Sequence, residues 1–367
     1  MNPTDTTPIY RPGLEGVIAA ETALSHPEGA AGRLTIVGHA VEELAAQFTS
    51  EEVACLLWHG RLPTPVELAT FKQQLSAHRS LPEATLDLLR AAASRAVPTM
   101  DALRMAIASL DLDLTPDQLE IGLVARTPTI IAAYGRLRQG QDPLPPHPDL
   151  DHAANYLYML HGQLPSPAQV RGLETYLNTV SDHGLNASTF TARIIVSTDS
   201  DVVSAVTGAI GALKGPKHGG APGPALDMVF EIGTAEQAEP YLRAKLDKGE
   251  RLMGFGHRVY KVRDPRAVVL SQAAAEMYRA GGDMALYELA QQVEETAVRL
   301  LAEYKPGRNL QTNVEFYTAL LLHGLGLPTD LFTPTFALGR MAGWIAHCRE
   351  QQASNRLIRP LSRYVGP

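Results

Sequence analysis

The chain has 367 residues, enough for a large buried core and for two domains. Its formal net charge is −7, so it lacks the basic excess that nucleic-acid-binding proteins usually need, and we expect no nucleic-acid partner. Its only cysteines, Cys55 and Cys348, exclude a disulfide framework and a thiolate metal cluster, and they favour a reducing, cytoplasmic location.

The first residues contain neither a basic start nor an apolar segment, so they do not predict a secretory signal. The longest largely apolar run, residues 202–213, is shorter than the roughly 18 residues that a membrane-spanning helix needs. We therefore expect no membrane partner.

Helix-start signals recur along the chain. A Ser or Thr followed three residues later by Glu or Gln predicts a capping box, in which the two residues satisfy each other's free backbone N–H groups. In three of these boxes proline occupies the first helical position, where no N–H is needed. Apolar residues then follow at helical spacing. The boxes begin at Thr49, Thr64, Thr115 and Ser166.

Strand-like alternation is nearly absent. Residues 33–37 are the one short candidate, and we expect them to pair with residues 16–20 in a small hairpin. The proline-rich residues 141–148 predict a loop, because helical patterning resumes at residue 151. The fold is therefore predicted to be all-α.

Three histidines are expected in three separate turns. Residues 197–213 predict a helix that Gly215 and Pro216 must end, so His218 lies in a turn just beyond it. His257 follows a glycine-rich segment whose backbone a ligand could approach closely, and His183 lies in the third turn. A single histidine at a helix end is more often a cap or a core residue than a site residue.

An acid and two arginines are predicted to lie on three separate helices. Asp264 and Pro265 predict a cap and a first helical position, which places Arg266 in the first turn. Glu315 opens a helix that continues to residue 324, and the last long helix, beginning at residue 333, carries Arg340. The histidine spacings match no zinc motif and the arginines would repel a cation, so we expect no metal site.

Two segments carry a family resemblance: GPKHGG at 215–220 and GFGHRVYKVRDPRA at 254–267. With them, the chain resembles the citrate synthases, including the related 2-methylcitrate synthases, over nearly its whole length. The resemblance implies a large helical domain, formed by residues 1–221 and 324–367, and a smaller mobile domain, formed by residues 222–323. It also implies a homodimer with shared active sites.

The resemblance further implies an activity. The family condenses oxaloacetate with the methyl group of an acyl-CoA and then hydrolyses the thioester, and the citrate synthase reaction belongs to the tricarboxylic acid cycle. Acetyl-CoA would be a co-substrate, with no tightly bound cofactor. One alternative is a 2-methylcitrate synthase using propionyl-CoA, since one methylene changes specificity by only ~1 to 3 kcal/mol. Another is a weakly catalytic paralogue that binds CoA or a dicarboxylate.

By the same resemblance, His218 hydrogen-bonds the thioester carbonyl, Glu315 removes the methyl proton and His257 donates to the ketone of oxaloacetate. Other residues would hold substrate oxygens, the last of them from across the dimer interface: His183, Asn186, Arg266, Arg340 and Arg359. A turn would receive the CoA adenine, with a lysine near the CoA phosphates: Leu252, Gly254, Phe255, Gly256 and Lys261.

Three positions depart from the family pattern. Glu315 stands where aspartate is usual, and small misplacements of a base can cost on the order of 10²-fold in rate. Gly184 stands where glutamate commonly follows the histidine, and Leu361 replaces an arginine. The segment before Gly13 is too short for the extra domain of hexameric members, so control by NADH is not expected.

Overall fold

The computed structural model describes residues 10–110, 114–219, 222–257, 259–260, 262–281 and 283–367. Within these ranges the chain is mostly α-helical, which confirms the predicted all-α class. The helices are α1 (Val41–Gln47), α2 (Ser50–His59), α3 (Pro65–Ala77), α4 (Glu83–Ser94), α5 (Thr99–Ile107), α6 (Pro116–Arg138), α7 (His152–His161), α8 (Pro167–Val180), α9 (Ala187–Val196), α10 (Val202–Leu213), α11 (Pro222–Ile232), α12 (Ala235–Asp247), α13 (Pro265–Gly281), α14 (Met284–Tyr304), α15 (Val314–Gly324) and α16 (Phe332–Ala353).

The described residues also form a small antiparallel sheet in the order β1 (Ser25–Glu28), β2 (Arg33–Ile36), β3 (His39–Ala40). The strand predicted at 33–37 is confirmed to within one residue, but its predicted pairing with residues 16–20 is wrong. Ser25 pairs with Ile36 instead, because the short connection between β1 and β2 folds the chain directly back on itself. This sheet brings Ser25 into the interior.

The predicted capping boxes at Thr49, Thr64 and Ser166 are confirmed. At Thr115 the backbone N–H donates to Gln118 Oε1 at 3.1 Å. The helix predicted over 197–213 begins later, at Val202, because Asp201 caps it by accepting the Ser204 N–H at 2.7 Å. Local signals therefore located the helix starts that have a capping box.

Helix α16 organises the interior around the site. It packs against α2, α6, α8, α9 and α10, and it is buried over most of its length. Next to Gly343 the α16 backbone runs so close to the turn after α8 that a Cβ atom there would lie 2.1 Å from the Ser181 carbonyl oxygen. Glycine is required at this crossing, and it lets α16 approach the turn that carries His183.

The range predicted to form the smaller domain has its own internal packing. Helix α12 packs mainly against α14, and α11 packs against α15. Helix α13, however, lies along both α15 and α8. The division into residues 1–221 with 324–367 and residues 222–323 stays a prediction. In the described part of the chain, the helices are too short or too polar to cross a membrane.

Candidate active site

Two distant segments meet at a cluster of rings. The His183 and His257 rings lie 5.7 Å apart between centroids, and Tyr260 contacts both of them. The Tyr260 hydroxyl lies 3.1 Å from His183 Nε2. The structure therefore brings together the turn after α8 and the loop before α13.

Backbone contacts fix the proton position on His257. Its Nδ1 accepts the N–H groups of Val259 and Tyr260, each at 3.1 Å. A neutral imidazole that accepts at one nitrogen donates at the other, so the proton is on Nε2. Nε2 lies 3.4 Å from Arg266 Nη2, also a donor. An oxygen atom at this point would receive two hydrogen bonds.

A buried carboxylate orients Arg266. The Asp264 oxygens accept from Nε at 3.0 Å and from Nη2 at 2.8 Å, and Asp264 also caps the Arg266 N–H at 3.0 Å. Such a two-point ion pair fixes the plane of the guanidinium. It leaves Nη1 for a substrate oxygen.

Arg340 is a buried cation that lacks an ion-pair partner among the described residues. Its side chain is 1% exposed, its Nε donates to the Val180 carbonyl oxygen at 2.5 Å, and its guanidinium lies 5.0 Å from the centre of the Phe336 ring. Burial lowers its pKa to about 10, although Asp182 nearby acts in the opposite direction. Because an unpaired buried charge is costly, this position favours an anionic ligand.

Glu315 lies in the first turn of α15. Asn313 caps the helix by accepting the Glu315 N–H at 2.9 Å, and among the described residues the Glu315 carboxylate has no hydrogen-bond or ion-pair partner. Burial raises its pKa to about 7, while Arg266 acts to lower it and Asp264 to raise it. A carboxylate with such a pKa suits proton abstraction near neutral pH.

His218 lies in the turn after α10, as predicted. Burial, reinforced by the charge of Arg340, lowers its pKa to about 4, so the ring is neutral at pH 7. Its Nε2 lies 2.8 Å from Ser188 Oγ. The one hydroxyl proton of Ser188 has two acceptors at 2.8 Å, His218 Nε2 and Asn186 Oδ1. When it is directed at Nε2, the imidazole proton is on Nδ1, from which it can be donated to a carbonyl oxygen. The ring also makes an edge contact with Phe336, which places it beside Arg340.

Ser188 and Trp344 support His218, although no sequence motif predicts them. Trp344 Nε1 donates to Ser188 Oγ at 3.2 Å, so α16 supports His218 through the serine. The structure places Asn186, predicted to bind substrate, as the cap of α9: its Oδ1 accepts the Thr189 N–H at 3.1 Å and lies 2.8 Å from Ser188 Oγ. No local sequence signal marks such a contact, since it depends on how α9 and α16 cross.

Burial, followed by the charges of Arg266 and Arg340, also holds the pKa of His183 well below its ordinary value. The site therefore combines two neutral imidazoles, His183 and His218, with two buried guanidinium groups. This arrangement can polarise carbonyl oxygens and bind carboxylates without a metal ion.

The turn predicted to bind CoA is tied to the start of α15. Phe255 and Thr312 form an isolated β-bridge, Gly256 N–H donates to the Gln311 carbonyl at 2.7 Å, and Asn313 N–H donates to the Gly254 carbonyl at 3.0 Å. Leu252 is buried beneath the turn. Lys261, predicted to lie near the CoA phosphates, is outside the described residues.

Arg359 is not brought to the site of its own chain. It is exposed, and it makes no hydrogen bond, ion pair or ring contact with the described residues. The preceding residue is anchored, because the Ile358 N–H donates to Ser197 Oγ at 3.1 Å. Beyond it the chain exposes large apolar side chains: Leu361, Tyr364 and Val365.

Known proteins resemble this chain over nearly its whole length. The sequence profile of the citrate synthase C-terminal domain matches residues 13–361. The chain is 43% identical to citrate synthase 2 of Bacillus subtilis over 97% of this chain and 95% of the relative. It is 39% identical to a 2-methylcitrate synthase of Mycobacterium tuberculosis over 99% and 92%.

Among solved structures, the chain resembles the citrate synthase of Thermoplasma acidophilum in its ternary complex with carboxymethyl coenzyme A and oxaloacetate. The TM-score is 0.87 and the identity 29%, over 97% of this chain and 96% of the other. These matches show that the chain belongs to the citrate synthase family and is an enzyme of the transferase class that this family represents.

Proposed function

We propose that the protein condenses acetyl-CoA with oxaloacetate and water to give citrate and CoA, the citrate synthase step of the tricarboxylic acid cycle. The observation that carries this proposal is a combination of groups: a carboxylate with a pKa of about 7, neutral imidazoles and a buried arginine, where neither the carboxylate nor the arginine has an ion-pair partner among the described residues. The small-molecule substrates are supported by the Thermoplasma acidophilum structure, which holds oxaloacetate and a CoA analogue.

The first step forms the enol of acetyl-CoA. The Glu315 carboxylate takes a proton from the acetyl methyl group, and the electron pair of the broken C–H bond becomes the carbon–carbon double bond. His218 donates a hydrogen bond to the thioester oxygen as negative charge develops there.

The second step joins the two substrates. The enol carbon attacks the ketone carbon of oxaloacetate, and His257 Nε2 provides the proton for the ketone oxygen. Arg266 Nη1, Arg340 and His183 bind the substrate oxygens. Water then attacks the thioester carbonyl, the carbon–sulfur bond breaks, and CoA leaves as the thiol.

The proposed assembly is a homodimer whose sites are shared. The exposed Arg359 would enter the partner's site, and the apolar side chains beyond it would be covered on pairing. The segment 222–323 would close as a smaller domain, carrying Glu315 and the CoA turn towards His218. We place the enzyme in the cytoplasm, as the two buried free cysteines favour.

A second candidate is a 2-methylcitrate synthase that uses propionyl-CoA, and the relative from Mycobacterium tuberculosis favours it. The two substrates differ by one methylene, which an apolar pocket distinguishes by ~1 to 3 kcal/mol, or about 10- to 200-fold. Comparison of kcat/KM for the two thioesters separates these activities.

The test is release of the CoA thiol by the full-length protein with oxaloacetate and either acetyl-CoA or propionyl-CoA. The proposal expects a higher kcat/KM with acetyl-CoA. A preference for propionyl-CoA would support the second candidate. Turnover no faster than that of a Glu315→Gln variant would contradict both and leave a protein that only binds CoA or a dicarboxylate.

A further inference from the structure

One face of α16 follows the turn that carries His183. Arg340, Gly343 and His347 are spaced three and four residues apart, so they lie on the same side of the helix. Arg340 binds the last carbonyl of α8, Gly343 contacts the Ser181 backbone, and His347 reaches the side chain of Asp182. Helix α16 therefore contacts the turn at Val180, Ser181 and Asp182.

Asp182 is held from two sides. It is fully buried, and its oxygens lie 3.1 Å and 3.2 Å from His347 Nε2. The Ser25 hydroxyl, delivered by β1, donates to Asp182 Oδ2 at 2.5 Å. The same Ser25 oxygen accepts the Gly184 N–H at 2.7 Å. One hydroxyl group thus binds the residue on either side of His183.

The directions of these hydrogen bonds are fixed by their surroundings. His347 Nδ1 accepts from Arg193 Nη1 at 3.1 Å, so the imidazole proton is on Nε2 and is donated to Asp182. Burial acts to raise the pKa of Asp182, but the combined effect of His347, Arg340 and Ser25 is larger, so the pKa lies below its ordinary value. Asp182 is therefore an ionised acceptor between two donors.

A second tie fastens the N-terminal strand to α16. Glu350 accepts from Arg193 Nη1 at 2.5 Å and from the Ala23 N–H at 2.8 Å. The segment that carries Ser25 is thus anchored at Ala23 as well as at the turn. Ser25 is a fixed support.

We infer that Ser25 is a positioning residue for His183, acting directly on Gly184 and, together with His347, through Asp182. This inference rests on the proposed binding of oxaloacetate by His183. The turn is not helical, and Gly184 has a φ of 60°, so its backbone depends on outside contacts for a single conformation. Without the hydroxyl, the Gly184 N–H loses its acceptor, and Asp182 Oδ2 keeps only the longer contact to His347 at 3.2 Å.

The effect should fall on oxaloacetate and spare acetyl-CoA. Ser25 contacts neither the turn 252–256 nor Glu315, whereas it holds both neighbours of His183. A displacement of about 1 Å in a substrate-holding group can cost up to 10²-fold, and the remaining contacts to α16 limit the movement. We expect about a tenfold loss of oxaloacetate affinity.

The experiment compares Ser25→Ala with the full-length wild type by calorimetric binding of oxaloacetate and by steady-state kinetics. We expect the Kd and KM for oxaloacetate to rise about tenfold and the KM for acetyl-CoA to change less than about twofold. The matched control is Ser181→Ala, which removes a buried hydroxyl from the same turn that donates only to the Asn178 carbonyl at 2.8 Å. Ser25→Cys is nearly isosteric and keeps a weak donor, so it covers the case in which the alanine variant fails to fold. Its Kd for oxaloacetate should lie above that of the wild type and below that expected for Ser25→Ala.

A double-mutant cycle with His183→Ala separates positioning from general support. If Ser25 acts through His183, Ser25→Ala adds less than about twofold to the Kd of the His183→Ala protein. A further tenfold loss in that background overturns the inference, as does an effect equal to that of Ser181→Ala. Wild-type turnover with oxaloacetate is measured in the same series, so a failure of the proposed function is seen separately.

Discussion

Glu315→Gln tests the proposed base with little change of shape. The carboxylate has a pKa of about 7 because it is buried. About a tenth of it is ionised at pH 6, half at pH 7 and nine-tenths at pH 8. Since only the ionised form accepts a proton, kcat/KM of the wild type should rise about ninefold between pH 6 and pH 8. The glutamine variant should lose this rise and about 10²- to 10⁴-fold in kcat.

Glu315→Gln should lower activity but raise the free energy of unfolding at high pH. The folded-state pKa lies above the ordinary value of 4.5, so the folded protein binds more protons than the unfolded chain between these two values, and its stability falls as the pH rises through them. The full cost is reached above pH 7 and is at most about 3 kcal/mol, reduced by the partial exposure of the side chain. The variant should therefore resist urea better than the wild type at pH 8 but not at pH 4.5.

Glu174→Gln is the matched control. Burial raises the pKa of Glu174 to about 8, and this carboxylate accepts from the Ser50 N–H, away from the active site. The control should gain stability at high pH and keep the pH dependence of kcat/KM. The base assignment is wrong if Glu315→Gln keeps the rise in kcat/KM between pH 6 and pH 8, or if its kcat stays within about tenfold of the wild type.

Three further outcomes are expected. Arg340→Met should weaken oxaloacetate binding by at least about 100-fold in calorimetry, because it removes the buried cation proposed to bind a substrate carboxylate. Gly343→Ala should destabilise the protein by about 1 to 3 kcal/mol in urea unfolding, because its Cβ would meet the Ser181 carbonyl oxygen at 2.1 Å; a neutral result would contradict the tight crossing. Arg359→Ala should lower kcat/KM while the dimer stays intact in sedimentation, and unchanged kinetics would exclude the shared site.

The sequence predicted those parts of the fold that local chemistry determines. Thr64 and Glu67 satisfy each other's N–H groups within one turn, so a motif of four residues is enough to predict their helix start. The partner of strand β2 was mistaken because pairing depends on which segment the connecting turn presents. Asp201 was overlooked as a cap, and the start of α10 was consequently placed too early.

The site divides in the same way. His257 and Arg266 stand in one motif, and in the structure His257 Nε2 lies 3.4 Å from Arg266 Nη2. His218 stands in a second motif, and Phe336 contacts both its ring and the Arg340 guanidinium. Ser25 could not be found, because it meets Asp182 across 157 positions of sequence and lies in no motif. Ser188 and Trp344 could not be predicted for the same reason, because a contact between two crossing helices produces no motif or regular spacing in the sequence.

The β-bridge between Phe255 and Thr312 has a mechanical consequence. Thr312 also contacts the residue that precedes α13, because the Asp264 N–H donates to the Thr312 carbonyl oxygen at 3.2 Å. The loop proposed to bind CoA, the arginine held by Asp264 and the proposed base Glu315 are thus joined through backbone hydrogen bonds to residues 311–313. If the adenine end of acetyl-CoA binds at this loop, a movement of the loop would also move Glu315. Substrate binding and the alignment of the proposed base would then occur together.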